Sequence, residues 1–132
     1  MSNFKFIRHK GGFGAFAEIT LEKQAGLREG VEWMSAVKSF EAIYGEAVAS
    51  GIRDALAWLL LEGGATTAFK VLGLEVLLVD TKPDAVRCAA TMAAWKALGH
   101  DESGISFELD REWVARRNSP PTPDSSPSPP RG

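Results

Sequence analysis

The chain has 132 residues, 45% of them apolar and 24% charged, which is the size and composition of one globular domain. A net charge of −2 excludes a chain that is cationic overall, so a nucleic acid would have to meet a local basic patch. The single cysteine excludes an internal disulfide framework and a multi-cysteine zinc site. No secretory signal and no apolar run of roughly 20 residues is visible, so we expect a soluble, cytoplasmic protein with no membrane partner.

The first third of the chain alternates between apolar and polar residues with a period of two, which is typical of antiparallel strands. We predict strands over 4–9, 13–22 and 31–38, and the short connections between them indicate a meander. The clearest alternation belongs to the second strand. Its apolar face is formed by Phe13, Ala15, Ala17, Ile19 and Leu21.

The period then changes to three and four residues. Over 39–62 this spacing predicts an amphipathic helix, with Ser39 as its N-cap and Gly63-Gly64 as its stop. The segment 69–79 follows, and its positions are apolar on nearly both faces. Such a run predicts a central strand of the sheet.

A second helix and a last strand complete the predicted order. Thr81-x-x-Asp84 resembles a capping box and predicts a helix that ends at Leu98. Alternating apolar residues over 105–109 predict a short strand. The order β-β-β-α-β-α-β indicates an α+β two-layer sandwich, with two helices on one face of a mainly antiparallel sheet.

The composition changes sharply after residue 117. The segment 118–132 contains six of the seven prolines and no large apolar side chain. Such a segment cannot bury enough surface to offset its ordering entropy. We therefore predict a folded domain over 1–117 and a disordered Pro/Ser-rich tail over 118–132, which serves either as a solvated linker or, through Pro120-x-x-Pro123, as a polyproline ligand.

The first hairpin carries the residues that are candidates for binding RNA. Its glycines lie between two strands and are not followed by Gly-Lys-Ser/Thr, so they do not indicate a nucleotide site. Glycine backbone beside cationic side chains can lie against the phosphate backbone of RNA. The alternative interpretation is a plain hairpin whose turn needs glycine for its backbone conformation. The candidate residues are Lys5, Arg8, His9, Lys10, Gly11, Gly12, Phe13 and Gly14.

The remaining polar groups do not indicate chemistry. Cys88 lies in a run of alanines and is predicted to be a buried, inert thiol. His100-Asp101-Glu102 is predicted to be a solvated loop, because no further metal ligands occur at a suitable spacing. No nucleophile, base and orienting group come together. We therefore expect no enzyme activity, no cofactor and no metal.

Three stretches resemble domain IV of translation elongation factor G, and they occur in the order found in that family. The resemblance covers about residues 4–114. The stretches are His9-Lys10-Gly11-Gly12-Phe13-Gly14-Ala15-Phe16-Ala17-Glu18-Ile19, Tyr44-x-x-Ala47-Val48-x-x-Gly51-Ile52-Arg53-Asp54-Ala55-Leu56, and Asp84-Ala85-Val86-Arg87-Cys88-Ala89-Ala90-Thr91-Met92-Ala93-Ala94-Trp95-Lys96-Ala97-Leu98.

The resemblance implies a two-layer α/β domain of the kind shared with a ribosomal small-subunit protein. In the factor, this domain reaches the decoding region of the ribosome and helps tRNA and mRNA advance. Its tip is built from the first hairpin loop, here 10–14, and from the loop before the second helix, here Asp80, Thr81, Lys82 and Pro83. The resemblance therefore adds Thr81 and Lys82 to the residues expected to contact RNA or the ribosome.

Two functions follow as expectations. The first is a stand-alone relative of that domain that binds the ribosome or structured RNA without catalysis, since no GTPase motif is present. The second is a protein-interaction module that keeps the scaffold but has lost the RNA-contacting tip. The sequence pI of about 5.7 and a second loop shorter than the family's favour this alternative. A small-molecule enzyme on the same scaffold is third.

Overall fold

The alternating residues of the first third do form strands in the structure, a computed structural model that describes residues 1–10, 13–24, 30–77 and 81–117. Within these ranges the α+β class is confirmed, with a mainly antiparallel sheet and two α-helices. The tail predicted over 118–132 lies outside them. The elements in chain order are β1 (Ser2–Lys10), β2 (Phe13–Gln24), β3 (Gly30–Trp33), a 3-10 helix (Ser35–Phe40), α1 (Glu41–Leu61), β4 (Ala68–Glu75), α2 (Pro83–Ala97), β5 (Ile105–Asp110) and β6 (Glu112–Arg117).

The first four strands form one sheet in the order β1-β2-β4-β3. β1 and β2 make the predicted antiparallel hairpin, in which Phe6 lies opposite Ala17. The central position of β4 is confirmed, because β4 pairs with β2 on one side and with β3 on the other. The predicted meander is wrong for β3, which runs parallel to β4 at the sheet edge. Alternation reports which face of a strand is buried; it does not report which strand is its neighbour.

Two boundaries before α1 also differ from the prediction. β3 ends at Trp33, and the rest of the segment predicted as strand forms the 3-10 helix, with Val37 turned into the core. Ser39 lies within this 3-10 helix. The residue at the N-cap of α1 is Phe40, which makes no side-chain capping hydrogen bond. An apolar residue at position 37 can be buried from a strand or from a 3-10 helix, so the pattern alone does not distinguish the two conformations.

The helix α2 lies in the middle of the core. It packs on β1 and β2, beside α1, and against β6. Its small buried side chains allow these close approaches. α1 crosses α2 at Gly51, where an added Cβ would lie 2.4 Å from the carbonyl oxygen of Arg87. The Arg87 guanidinium in turn donates hydrogen bonds of 2.8 and 3.0 Å to Asp54 on α1.

The last two strands form a second, two-stranded sheet, and β6 was not predicted. Arg111 joins β5 to β6 with a φ of 64°, in the left-handed region that a non-glycine residue seldom adopts. Phe6 of β1 touches both strands of this hairpin, with its ring centroid 4.9 Å from that of Phe107 and 5.6 Å from that of Trp113. These contacts pack the hairpin against β1.

Candidate nucleic-acid interface

The first hairpin has the predicted position in the chain and the predicted pairing. β1 ends at Lys10, which pairs with Phe13 at the start of β2. Gly11 and Gly12 lie outside the described residues, as do the side chains of His9, Lys10 and Phe13. Gly14 pairs with His9 through the backbone.

Lys5 and Arg8 point to opposite faces of the sheet. Lys5 lies on the face away from the helices, opposite Glu18. Arg8 lies on the helix-facing side, and its guanidinium carbon is 5.0 Å from the ring centroid of Phe6 and 4.9 Å from that of Phe107. Residues three apart on a strand face opposite ways. The structure therefore does not bring Lys5 and Arg8 together on one surface.

Thr81 is buried and connects the second loop to the first hairpin. Its hydroxyl donates a 2.6 Å hydrogen bond to the carbonyl oxygen of Phe16 and accepts one of 2.7 Å from the backbone N–H of Leu77. The predicted capping box is wrong, because Lys82 stands at the N-cap of α2 and makes no side-chain capping hydrogen bond. The hydroxyl of Thr81 thus positions the second loop, while Asp80 lies outside the described residues.

The end of the first hairpin, the start of α2 and the tip of the β5–β6 hairpin meet around a cavity of about 300 Å³, which we call the tip cleft. Lys82 is exposed at its rim, as is Arg111, a residue that the sequence reasoning missed. No local pattern could have found Arg111, since the packing of the hairpin on Phe6 brings it here. The cleft is lined by Gly14, Ala15, Lys82, Asp84, Leu109, Arg111 and Trp113.

Asp84 holds two of the three segments of the tip cleft together. One carboxylate oxygen accepts a 2.9 Å hydrogen bond from the backbone N–H of Ala85, and the other accepts one of 2.7 Å from that of Trp113. Each oxygen of Asp84 therefore accepts a hydrogen bond from a backbone N–H. The carboxylate links the first turn of α2 to the start of β6 in this way.

Other groups singled out in the sequence are structural. Cys88 is buried, and this burial raises the pKa of its thiol to about 12, so the thiol stays protonated at neutral pH. His100 does not lie in free solvent, because its ring stacks on Trp95 at a centroid distance of 3.8 Å. Asp101 is exposed, and hydrogen bonds from Ser103 lower its pKa. These groups do not form a reactive cluster.

Two further features are absent from the described ranges. No three His, Cys, Asp or Glu side chains in these ranges are grouped so that they could hold a metal ion. No helix in the same ranges has the length and apolar character needed to cross a membrane.

The tip cleft, with two cationic side chains at its rim, is suited to holding an anionic group.

The sequence matches no protein-family model and no curated protein. Among solved structures, the chain is similar to the crystal structure of ttk003000868 from Thermus thermophilus, with a TM-score of 0.62 and 26% sequence identity. The alignment covers 71% of this chain and 14% of the Thermus chain, so this chain spans about one seventh of the length of that protein. The likeness supports the α+β fold.

Proposed function

We propose that this chain is a non-catalytic domain that binds the ribosome or structured RNA, similar to domain IV of elongation factor G. One observation carries the proposal: the first hairpin and the loop before α2 are joined by the 2.6 Å hydrogen bond from Thr81 to Phe16. In the family that the sequence resembles, these two segments build the tip that enters the decoding region. Gly14 and Lys82, one from each segment, line the same cleft here.

The charge of the two segments agrees with contact to an RNA backbone. Lys82 is exposed, and the first hairpin carries cations up to Lys10 with no acidic residue before Glu18. Contacts of this kind are directed to phosphates and do not read the sequence. We therefore expect binding to weaken steeply as salt rises, because the entropy gained when counterions leave the RNA on binding falls as the salt concentration increases.

Sedimentation of the purified protein with ribosomes tests the proposal. We expect the protein to pellet with ribosomes at low salt and to leave the pellet as salt rises. Treating the pelleted complex with RNase before a second spin separates RNA contact from contact with ribosomal proteins. A protein that stays in the supernatant at every salt concentration contradicts the proposal.

The uncovered face of the sheet favours the second candidate, a protein-interaction module. On this face Lys5 lies opposite Glu18, which in turn lies opposite Glu75, so the row carries more negative than positive charge. Ile7 and Leu77 are about half exposed, at 53% and 48%. A pull-down with the intact chain and with a chain lacking 118–132, each with and without RNase, distinguishes the candidates. Partners that survive RNase support the interaction module, and their loss without 118–132 assigns them to that segment.

A further inference from the structure

We propose that the tip cleft is a phosphate site for structured RNA, in which Arg111 and Lys82 hold one phosphodiester group. The inference rests on the proposed function and deepens it. It assigns an RNA contact to the β5–β6 hairpin, in addition to the first hairpin and the loop before α2. The proposal stands on the pairing of charges, on the shape of the cleft and on the contacts that fix its walls.

The first argument is that neither cation is paired with a carboxylate among the side chains that the structure describes. Among those side chains Lys82 and Arg111 form no ion pair, although they line one cavity. The other cations without an ion pair among the described side chains are spread along the sheet, at Lys5, Arg8, Lys23 and Lys70. Six arginines and lysines in those ranges do pair with a carboxylate: Lys38, Arg53, Arg87, Lys96, Arg116 and Arg117.

The second argument is the shape of the cleft. At about 300 Å³ it lies at the small end of ligand pockets, which suits one phosphate with its adjoining sugar better than a large cofactor. Gly14 offers backbone without a side chain on one wall. Leu109 and Trp113 supply apolar surface on another. The guanidinium of an arginine can hold two phosphate oxygens at once, and a lysine adds a point charge.

The third argument is that the cleft is already assembled in the free protein. Each oxygen of Asp84 accepts a hydrogen bond from a backbone N–H, one from Ala85 in the first turn of α2 and one from Trp113 at the start of β6. Because the Asp84 carboxylate already occupies the first turn of α2, the RNA phosphate is held by the side chains of Arg111 and Lys82 and not by that turn. Phe6 fixes the hairpin from the other side through Phe107 and Trp113.

The backbone of Arg111 allows a variant that removes its charge without unfolding the protein. At a φ of 64° a non-glycine residue is strained, and glycine is not. Arg111→Gly should therefore be at least as stable as the native chain while it lacks the guanidinium. Lys82→Gln removes the other charge at an exposed position. Lys23→Gln is the matched control, since Lys23 is exposed and roughly 30 Å along β2 from Gly14.

Fluorescence anisotropy with a labelled RNA stem-loop tests the inference on the full chain. We expect Arg111→Gly and Lys82→Gln each to weaken binding by about tenfold, as the loss of a charge-assisted hydrogen bond does. Each should also lower the slope of log affinity against log salt by about one, and Lys23→Gln should change neither quantity. Thermal unfolding of all four proteins confirms that the variants are folded.

The outcomes separate the inference from the proposed function. If the native chain does not bind the RNA, both are overturned. If the native chain binds and both cleft variants bind like Lys23→Gln, the phosphate site is overturned and the proposed function stands. A competition with inorganic phosphate separates RNA from a free anion as the ligand. Displacement only at phosphate concentrations far above that of the RNA supports the RNA; displacement at equal concentrations overturns it.

Discussion

Replacing Gly51 by alanine should destabilise the protein, although the same change stabilises most helices. In a helix interior alanine is favoured over glycine by about 1 kcal/mol. At Gly51, however, the new Cβ would lie 2.4 Å from the carbonyl oxygen of Arg87, 2.9 Å from the Cβ of Ala90 and 3.0 Å from the backbone nitrogen of Thr91. Two of these three atoms belong to the backbone of α2, so they cannot rotate away.

The magnitude follows from weighing the two effects. Overpacking of a close helix crossing costs about 3 kcal/mol at the upper end of the usual range. Subtracting the helix-propensity gain of about 1 kcal/mol leaves a net loss of about 2 kcal/mol. For a domain of this size that loss lowers the melting temperature by about 10 °C. Urea unfolding followed by tryptophan fluorescence measures the loss.

Gly45→Ala in the same helix is the matched control. The Cβ added at Gly45 would meet only the exposed side chain of Glu41, with its Cγ at 3.1 Å. That side chain can shift at the cost of its surface ion pair with Lys38, a kind of pair that contributes little to stability. We expect this variant to be unchanged or up to about 1 kcal/mol more stable. Equal or greater stability of Gly51→Ala would refute the reasoning, because α1 and α2 could not then cross as closely as the structure has them.

Two further predictions concern Thr81 and Cys88. Thr81→Val removes the hydroxyl shared by Phe16 and Leu77 and should cost about 1–3 kcal/mol in urea unfolding, whereas Thr81→Ser should retain most of the stability. Native-like stability of Thr81→Val would show that this hydroxyl does not hold the second loop. Burial raises the pKa of Cys88 from 9.0 to about 12. Between pH 9 and pH 12 only the unfolded thiol ionises, so ionisation stabilises the unfolded chain and destabilises the fold in this range; below pH 9 there is no such effect. From pH 8 to pH 10 the native chain should therefore lose roughly 1.4 kcal/mol more than Cys88→Ala, and equal losses in urea unfolding would contradict the burial of this thiol.

The sequence predicts those parts of the fold that depend on local pattern. Alternation identified β1 and β2, a run that is apolar on nearly both faces identified β4, and the change of period identified α1. The second helix is present as predicted, although the capping box from which it was predicted is not. The helix ends were also visible, because Gly63 and Gly99 follow α1 and α2 with φ values of 85° and 97°, which glycine adopts without strain. Each of these signals lies within a few residues of the feature that it predicts.

The parts that were missed depend on contacts between distant segments or on weak local signals. No local pattern in the sequence of β3 or β4 indicates that β4 pairs with both β2 and β3 and lies between them in the sheet. β6 was missed because the hairpin before it turns at Arg111, where the left-handed conformation normally points to glycine or asparagine. Thr81 and Asp84 have the spacing of a capping box, but their side chains bond to distant backbone groups at Phe16 and Trp113.

The candidate site was predicted in part. The sequence pointed to the first hairpin and to Lys82, and the structure places Gly14 and Lys82 at one cleft. The period-two alternation already separates Lys5 from Arg8, since residues three apart on a strand face opposite sides. Arg111 could not be predicted, because its place beside Lys82 is set by the packing of the β5–β6 hairpin on β1 and α2.

The central claim is that this chain meets RNA at the junction of the first hairpin, the start of α2 and the tip of the β5–β6 hairpin. Ultraviolet cross-linking of the full chain to a structured RNA, with the linked peptides mapped by mass spectrometry, tests the claim most directly. We predict that the linked peptides contain Gly14, Lys82 or Arg111. Cross-links confined to the uncovered sheet face around Lys5 and Glu75, or to the outer side of α1, would contradict it.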